Sequence, residues 1–450
     1  MKEVIVIGGG LAGTEAALQV AKRGIKVKLY EMKPVKFSDA HTNEDLAEVV
    51  CSNSFKSNLL TNACGLLKEE LRILGSELIP VADSTSVPAG QALAVDREVF
   101  SRKVTELVEK NENIEVIREE VTEIPQDSIV IIATGPLTSE VLSERIKELT
   151  GSDKLFFYDA AAPIIDKDSI NMDIAFYGDR YSQERGKEEP EEEWRERFKS
   201  EVGSYINLPM IKEEYEKFWE ELVNAEVVEL HVFEKREIFE GCMPLEIMAK
   251  RGMDTLRFGP LKPVGFTDLR TARRPYAVVQ LRQDNSEGNL YNIVGFQTNL
   301  KFGEQKRVFS LIPGLENANF VKYGVMHRNT YINSTMVLDN TYNMKEDENI
   351  FFAGQITGVE GYVESIASGF IAGINAANKI LGKDKFVMPK ETVNGALADY
   401  ISTENDKFQP MNANFGILPK LDENIRDKKV KYQKMADRSL EIIKIIKENV

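Results

Sequence analysis

Cysteine and histidine are scarce in this chain, and their scarcity excludes several kinds of site. The 450 residues include three cysteines, Cys51, Cys64 and Cys242, and three histidines. Cysteines this few and this widely spaced do not form a disulfide framework, and no Cys and His spacing is typical of a zinc site. We therefore predict a reduced protein that holds no metal ion.

Long apolar runs and an excess of positive charge are also lacking. No run approaches the ~20 apolar residues of a membrane helix, and the N-terminus has no secretion-signal pattern. We expect a cytoplasmic protein with no membrane partner. The net charge of −15 argues against nonspecific nucleic-acid binding, which depends on lysine and arginine. Residues 231–330 differ, with 15 basic against 10 acidic residues, which leaves open either an RNA contact or a merely less acidic segment.

The first thirty residues have the pattern of a dinucleotide-binding unit. An apolar strand at 4–7 leads into a glycine-rich turn and a helix, and a second strand ends at Glu31. Such glycines let backbone N–H groups approach a pyrophosphate at the helix N-terminus, and the acidic residue can bind ribose hydroxyls. The pattern alone does not choose among FAD, NAD and S-adenosylmethionine. The turn consists of Gly8, Gly9, Gly10, Leu11, Ala12 and Gly13.

A second glycine-rich turn lies near the other end of the chain. An apolar strand at 349–353 runs into Gly354 and Gln355, and Gly361 and Tyr362 precede a helix that extends to about residue 380. This turn resembles the flavin-contacting motif of large FAD proteins, although many of those proteins have Asp where Gln355 stands. The Ala-Thr-Gly segment that contains Thr134 and Gly135 resembles another motif of that superfamily. Together the two likenesses favour FAD.

Small residues recur at every fourth position on the two helices that follow these turns. Such ridges let helix backbones approach closely, so we expect the two helices to pack tightly beside an elongated cofactor. The ridge on the later helix is Ser365, Gly369, Gly373 and Ala377, and the ridge on the first helix is Gly13, Ala17 and Ala21.

The hydrophobic patterns predict an α/β protein with a Rossmann-type FAD-binding domain, of the glutathione-reductase kind, and an inserted α+β domain. Continuous apolar strands indicate a parallel sheet that is covered on both faces, whereas alternating patterns dominate at 226–325. We expect the first part of the FAD domain at 1–165, the inserted domain at 166–322, and the second part with C-terminal helices at 323–450. The dense charge at 183–201 predicts a solvated insertion.

The three cysteines have different settings. Cys64 lies in an apolar helical stretch and is expected to be a small buried residue. Cys51 is followed by Ser, Asn and Lys residues, which can stabilise a thiolate. Cys242 lies between glycine and Met243-Pro244, in an irregular turn that could present a thiol to a substrate. From these settings alone, Cys51 and Cys242 could each be functional or structural.

Segments along almost the whole chain resemble the TrmFO family of folate- and FAD-dependent tRNA uracil-5 methyltransferases. The resemblance implies methylation of uridine-54 at C5 in the T loop of tRNA. Methylenetetrahydrofolate would supply the carbon, FADH2 would be the reductant, and NADPH or NADH would reduce the flavin again. Carried over by motif, Cys242 would add to uracil C6 as the nucleophile, and Cys51 would be the second catalytic thiol. The matching segments include GGGLAGTEAA at 8–17, VVCSNSFKSN at 49–58, IIATGPLTS at 131–139, FEGCMPLEIMAKRG at 239–252 and AGQITGVEGYVES at 353–365.

Other functions remain open. The same chemistry could act on a uridine of ribosomal RNA, or the chain could be a GidA-like wobble-uridine modification flavoprotein, although those chains are longer. An RNA-binding factor with a structural flavin is a third possibility, and a simple NAD(P)H oxidase explains the cysteine turns least well. Candidates for contacts with phosphate or folate glutamate are Lys250, Arg251, Arg273, Arg274, Lys301, Lys306, Arg307 and Arg328.

Overall fold

The computed structural model describes residues 3–38, 40–151, 155–181, 189–199, 203–228, 243–268, 270–406 and 408–448. Cys242 lies outside the described residues, and so does the side chain of Arg328. The strands are β1 (Glu3–Ile7), β2 (Lys26–Tyr30), β3 (Ser54–Ser57), β4 (Ser86–Val87), β5 (Ala92–Val95), β6 (Ile114–Ile117), β7 (Ile129–Ile132), β8 (Leu155–Ala160), β9 (Ile164–Asp166), β10 (Phe176–Tyr177), β11 (Tyr205–Met210), β12 (Ala277–Gln283), β13 (Leu290–Ile293), β14 (Phe320–Lys322), β15 (Met326–Tyr331) and β16 (Ile350–Phe352). The helices are α1 (Leu11–Lys22), α2 (Ala63–Leu74), α3 (Leu78–Ser84), α4 (Arg97–Glu109), α5 (Glu140–Thr150), α6 (Glu191–Lys199), α7 (Lys212–Asn224), α8 (Leu245–Lys250), α9 (Thr255–Phe258), α10 (Phe302–Phe309), α11 (Ser334–Val337), α12 (Tyr362–Leu381), α13 (Val393–Ser402) and α14 (Lys428–Lys447).

A five-stranded parallel sheet carries both glycine-rich turns. Its strand order is β16-β7-β1-β2-β6, so β1 from the start of the chain and β16 from its last quarter flank β7. The carboxyl ends of parallel strands lie at one edge of a sheet, where ligands of such folds bind. This topology therefore brings the two turns to the same edge.

The second large sheet of the molecule is antiparallel and has six strands. Its order is β10-β11-β12-β13-β9-β14, and every neighbouring pair is antiparallel. The helices α7, α8 and α10 contribute Phe218, Leu245 and Phe309 to the apolar cluster on this sheet. Two small antiparallel sheets, β3-β5-β4 and β15-β8, complete the strands of the described chain.

The C-terminal helices are tied to the first half of the chain by one buried carboxylate. Glu70 on α2 accepts hydrogen bonds from the backbone N–H groups of Val393 and Asn394 at the start of α13, at 2.8 and 3.0 Å. It also accepts one from the Ser439 hydroxyl on α14. These contacts fix α13 and α14 against α2 at the outer side of the parallel sheet.

The predicted fold class is confirmed, while one prediction about a segment is wrong. The acidic stretch is not simply solvated, because its described part forms α6, and Trp194 on that helix is only 2% exposed. Trp194 belongs to an apolar cluster with Phe176, Phe266 and Val278. A single tryptophan among so many charges was an overlooked signal for burial. Across the described ranges, no helix has the length and apolar character that would let it cross a bilayer.

Candidate active site

The two glycine-rich turns line one elongated cavity, which we call the central cavity. The space between its protein atoms measures about 1090 Å³, including the part that is open to solvent. Its walls come from the ends of β1, β2, β7 and β16 and from the start of α12. Among the predicted site residues, the lining includes Gly8, Gly9, Gly10, Leu11, Ala12, Glu31, Thr134, Gly135, Gly354, Gln355 and Tyr362.

The end of the cavity near β2 has the features that a nucleotide needs. The carboxylate of Glu31 accepts hydrogen bonds from the backbone N–H groups of Gly9 and Lys33, at 2.8 and 3.0 Å. These bonds fix the carboxylate where β2 ends, with acceptor capacity left for a ribose diol. Gly10 precedes α1 and provides no side-chain cap. The first N–H groups of α1 thus suit a pyrophosphate.

Gly13 and Gly361 shape the turns without lining the cavity. A Cβ atom at Gly13 would lie 1.9 Å from the carbonyl oxygen of Gly8, so the turn can close only with glycine there. Gly361 precedes α12 with a φ of 126°, in a region that favours glycine. The sequence predicted both glycines as cofactor-binding residues, but they act on the cavity indirectly, through the shape of the turns.

The helices α1 and α12 pack as closely as the small-residue pattern predicts, but through a different face of α1. A Cβ atom at Gly369 would lie 2.2 Å from the carbonyl oxygen of Ala12, and one at Gly373 would lie 2.7 Å from that of Ala16. Gly13 instead faces the sheet, against Gly8 and Ala133. Gly369 and Gly373 of the ridge predicted on α12 therefore meet α1 as expected. Gly13 of the ridge predicted on α1 does not meet α12, because it packs against Gly8 and Ala133 instead.

Cys51 lies beside this cavity, in a loop that we call the Cys51 loop (residues 49–53). The preceding residue, Val50, lines the cavity. The hydroxyl oxygen of Tyr362, also in the lining, accepts hydrogen bonds from the backbone N–H groups of both Cys51 and Ser52 at 3.0 Å. The Cys51 Sγ atom lies 3.8 Å from the carbonyl oxygen of Ala160. Cys51 is partly exposed, and its neighbours Val50 and Tyr362 belong to the cavity wall.

Tyr362 is suited to hold this loop while remaining neutral. Burial, and then the electrostatic interaction with Cys51, raise the pKa of the Tyr362 phenol well above its usual value. The hydroxyl thus keeps its proton while its oxygen accepts the two N–H groups. Tyr362 therefore joins the wall of the central cavity to the backbone of Cys51.

Two arginines hold the Cys51 loop from its other side. Arg282 on β12 donates to the side-chain oxygens of Asn53 and Ser52, both at 2.9 Å. Arg97 at the start of α4 donates to the carbonyl oxygens of Val49 and Val50 at 3.1 and 3.3 Å. These contacts were not predicted. A charged residue among the apolar residues of the strand AVVQLRQ was the signal that could have revealed Arg282.

Cys64 behaves as a structural residue. It is 2% exposed, and burial raises the pKa of its thiol to about 12, which leaves it unreactive at neutral pH. Close to it, the Lys68 ammonium donates to the carbonyl oxygens of Phe55 and Ser57 at 2.6 and 2.8 Å. These bonds fix β3, which follows the Cys51 loop. The expectation for Cys64 agrees with this setting.

Several basic candidates are engaged in surface ion pairs. Lys301 pairs with Glu226 at 2.6 Å, and Arg307 pairs with Glu304 at 2.9 Å and with Glu221. Within the described ranges, no group of His, Cys, Asp and Glu side chains could hold a metal ion.

Comparison with known proteins shows which family this chain belongs to. The family model described as "Glucose inhibited division protein A" (GIDA) matches residues 3–384. A methylenetetrahydrofolate–tRNA-(uracil-5-)-methyltransferase TrmFO from Acetivibrio thermocellus is 61% identical over 440 residues, which are 98% of this chain and 97% of that protein. The TrmFO proteins of Fusobacterium nucleatum and Listeria welshimeri are 58% and 57% identical, and the matches cover 98% and 100% of both partners.

The chain belongs to the TrmFO family, within the GIDA proteins. Among solved structures, GidA of Aquifex aeolicus superposes with a TM-score of 0.67 at 18% identity, over 98% of this chain and 76% of that one. At this identity the likeness establishes the shared fold only. The TrmFO relatives match over nearly their whole length, so the cavity and the Cys51 loop both lie within the matched region.

Proposed function

We propose that this TrmFO-family protein methylates uridine-54 at C5 in the T loop of tRNA. Identity of 56–61% to TrmFO methyltransferases over nearly the full length is the observation that carries the proposal. The central cavity supports it, because Glu31, the uncapped start of α1 and the close turns fit FAD. When bound, methylenetetrahydrofolate and FADH2 supply the one-carbon unit and the electrons. NADPH or NADH would restore the reduced flavin.

The two thiols would carry the chemistry on the uracil ring. The Cys242 thiolate would form a bond to C6, which makes C5 nucleophilic enough to accept carbon. Cys51 would take the proton from C5 after the carbon has been added, and the two electrons that FADH2 would supply are needed to bring that carbon from the methylene to the methyl level. Breaking the C6–S bond would then release 5-methyluridine and the Cys242 thiolate. The role of Cys242 rests on its motif, since it lies outside the described residues. The role of Cys51 is supported by its partial exposure next to the cavity wall.

Reconstitution tests this proposal. The purified protein would be loaded with FAD, reduced anaerobically with NADPH, and given methylenetetrahydrofolate and an unmodified tRNA transcript. We expect 5-methyluridine at position 54, detected by mass spectrometry of nuclease fragments. Product from a ribosomal RNA fragment but not from tRNA would favour the ribosomal alternative. Modification at the wobble position would favour the GidA-like alternative.

Cysteine variants separate catalysis from a structural role. Cys51→Ala and Cys242→Ala should each lower methyl transfer by at least about 10³-fold while FAD absorbance is retained. Cys64→Ala is the matched control, because its thiol is buried and has a raised pKa. We expect that control to retain activity within about twofold. Full activity of both Cys51→Ala and Cys242→Ala would contradict the thiol chemistry and favour a structural role for the flavin.

A further inference from the structure

A second cavity lies in the part of the molecule built on the antiparallel sheet, and we call it the β12 groove. It lies where β11 ends and β12 begins, and its space measures about 1470 Å³, including the part that is open to solvent. Its lining contains five basic residues and, within the described part of the chain, no acidic one. The basic residues are Lys212, Arg257, Lys262, Arg273 and Arg274.

Three of these cations have no partner among the residues that the structure describes. Arg257 is engaged with the ring of Tyr276, 3.5 Å from its centroid, and with Asp254. By contrast, the exposed side chains of Lys262, Arg273 and Arg274 make no hydrogen bond or ion pair with any described residue. Three unpaired cations around one groove are unusual in a chain with a net charge of −15. The groove is therefore suited to a polyanion.

An exposed aromatic ring lies in the same groove. Phe258 at the end of α9 is 84% exposed, the highest value among the large apolar side chains identified as exposed. Burying this ring against solvent-exposed bases would be favourable, because base–aromatic stacking contributes to RNA binding. A nucleic acid is a polyanion that also offers many flat rings. The glutamate tail of a folate offers carboxylates for the cations but no base that could stack on Phe258.

The strand β12 links this groove to the Cys51 loop. Tyr276, just before β12, lines the groove, and Arg282 near its other end holds Ser52 and Asn53. Six residues at ~3.4 Å each separate the two ends by about 20 Å. One folded RNA is large enough to reach both places.

We infer that the β12 groove binds the phosphodiester backbone of the substrate RNA, about 20 Å from the end of β12 that holds the Cys51 loop, with Phe258 as a stacking surface for a base. This inference rests on the proposed RNA substrate. The groove supplies affinity and register rather than chemistry, because phosphate contacts position a nucleic acid without taking part in the reaction. Its residues should therefore affect RNA binding and leave the flavin and the thiols unchanged.

The test removes the three unpaired charges together, as Lys262→Ala/Arg273→Ala/Arg274→Ala. Binding of fluorescent tRNA transcript is measured by anisotropy at several salt concentrations. We expect affinity to fall about tenfold or more, and the slope of log K against log salt to become shallower by about 2 to 3. FAD content and the rate of flavin reduction by NADPH should match wild type. The side chains are exposed, so circular dichroism should show an unchanged fold.

The matched control removes three other exposed cations whose side chains pair with no described residue, as Lys383→Ala/Lys420→Ala/Lys429→Ala. Lys383 lies beyond the C-terminal end of α12. This helix has 20 residues, so it is about 30 Å long, and its other end lies at the central cavity. We expect wild-type affinity and an unchanged salt slope from this control. Phe258→Ala should weaken tRNA binding about fivefold or more with no change of slope, and Phe258→Trp should restore it.

The possible failures can be told apart. If wild-type protein methylates no RNA, the proposed function fails before the groove is tested. If wild type methylates tRNA but the groove variant and the control variant bind it equally well, the inference about the groove is wrong. It is equally wrong if the groove variant changes only the KM for polyglutamylated folate or for NADPH, because the groove would then bind those anions.

Discussion

At the scale of single residues, Arg282 has the most specific role in placing Cys51. Its guanidinium joins two side chains of the Cys51 loop, and it is 7% exposed. Burial lowers the pKa of Arg282, yet an arginine remains charged even in such a setting. Asn53, its main partner, is fully buried. Removing the guanidinium therefore leaves a buried acceptor without a donor, which costs about 1–3 kcal/mol.

We predict that Arg282→Lys lowers kcat for methyl transfer by about 10- to 100-fold. Lysine retains the charge but cannot present a planar fork to both Asn53 and Ser52. FAD content and flavin reduction should stay close to wild type, because Arg282 does not line the central cavity. Steady-state kinetics together with the absorbance of bound flavin measure both effects.

Arg145→Lys is the control for this substitution. Arg145 also bonds two side chains, Glu123 and Glu148, but it does so at the surface. We expect that variant to retain its activity. If Arg282→Lys had the same kcat as Arg145→Lys, the Cys51 loop would keep its position without the two hydrogen bonds from the Arg282 guanidinium.

At the scale of elements, the contact between α1 and α12 determines whether the central cavity can form. Gly369 allows the α12 backbone to approach Ala12, which itself lines the cavity. The N–H of Gly354 donates to the Ser368 hydroxyl at 2.7 Å, so α12 also fixes the second glycine-rich turn. A shift of α12 would therefore displace both walls of the cavity.

We predict that Gly369→Ala lowers FAD affinity at least tenfold and reduces the free energy of unfolding by about 1–3 kcal/mol. The added Cβ would lie 2.2 Å from the carbonyl oxygen of Ala12, so the helices must separate. Flavin absorbance after gel filtration and thermal unfolding measure the two effects. The control is Gly303→Ala in α10, where a Cβ atom meets nothing within 4 Å. That variant should be neutral or slightly stabilised, and equal behaviour of the two would contradict the tight contact.

The sequence was most informative where local chemistry repeats a pattern. The strand at 4–7, the turn at 8–13 and the carboxylate of Glu31 follow from short-range rules. Residues 7–12 and Glu31 line the cavity. The face of α1 that packs against α12 could not be predicted from the sequence. All small residues of α1 are buried, so only the tertiary packing decides which of them meet α12. Arg97 and Arg282 were missed for a related reason. Their partner, the Cys51 loop, is up to about 230 residues away in sequence.

At the scale of the whole molecule, the Cys51 loop lies at the junction between the parallel and antiparallel sheet systems. Besides Arg282, the junction contains an ion pair between Arg97 and Asp284 at 3.0 Å. The Asn53 side chain also donates to the carbonyl oxygen of Gln283 at 3.0 Å. A change in how the two sheet systems meet would therefore change the position of Cys51.

Asp96 gives this junction a pH dependence. Its carboxylate caps α4 through the N–H of Val99 at 3.0 Å, and it accepts the N–H and hydroxyl of Ser286 at 2.7 and 2.6 Å. Burial alone would raise the pKa of Asp96, but these hydrogen bonds outweigh it and hold the pKa below the usual value. A carboxyl group of this kind contributes stability above its unfolded pKa of about 3.9. That contribution is lost as the pH falls through the lower folded value.

We predict that Asp96→Asn lowers the free energy of unfolding by about 1–2 kcal/mol at pH 7. Asparagine still caps α4, but its amide cannot accept both hydrogen bonds from Ser286. The deficit relative to wild type should be constant from pH 8 to pH 5 and should shrink only below about pH 4, as the wild-type carboxylate takes up its proton. Urea denaturation across this pH range measures it, with Asp127→Asn in an exposed loop as the control. A deficit that already disappears between pH 6 and pH 5 would show that the Asp96 pKa is raised rather than lowered, and that the junction does not depend on the charged form.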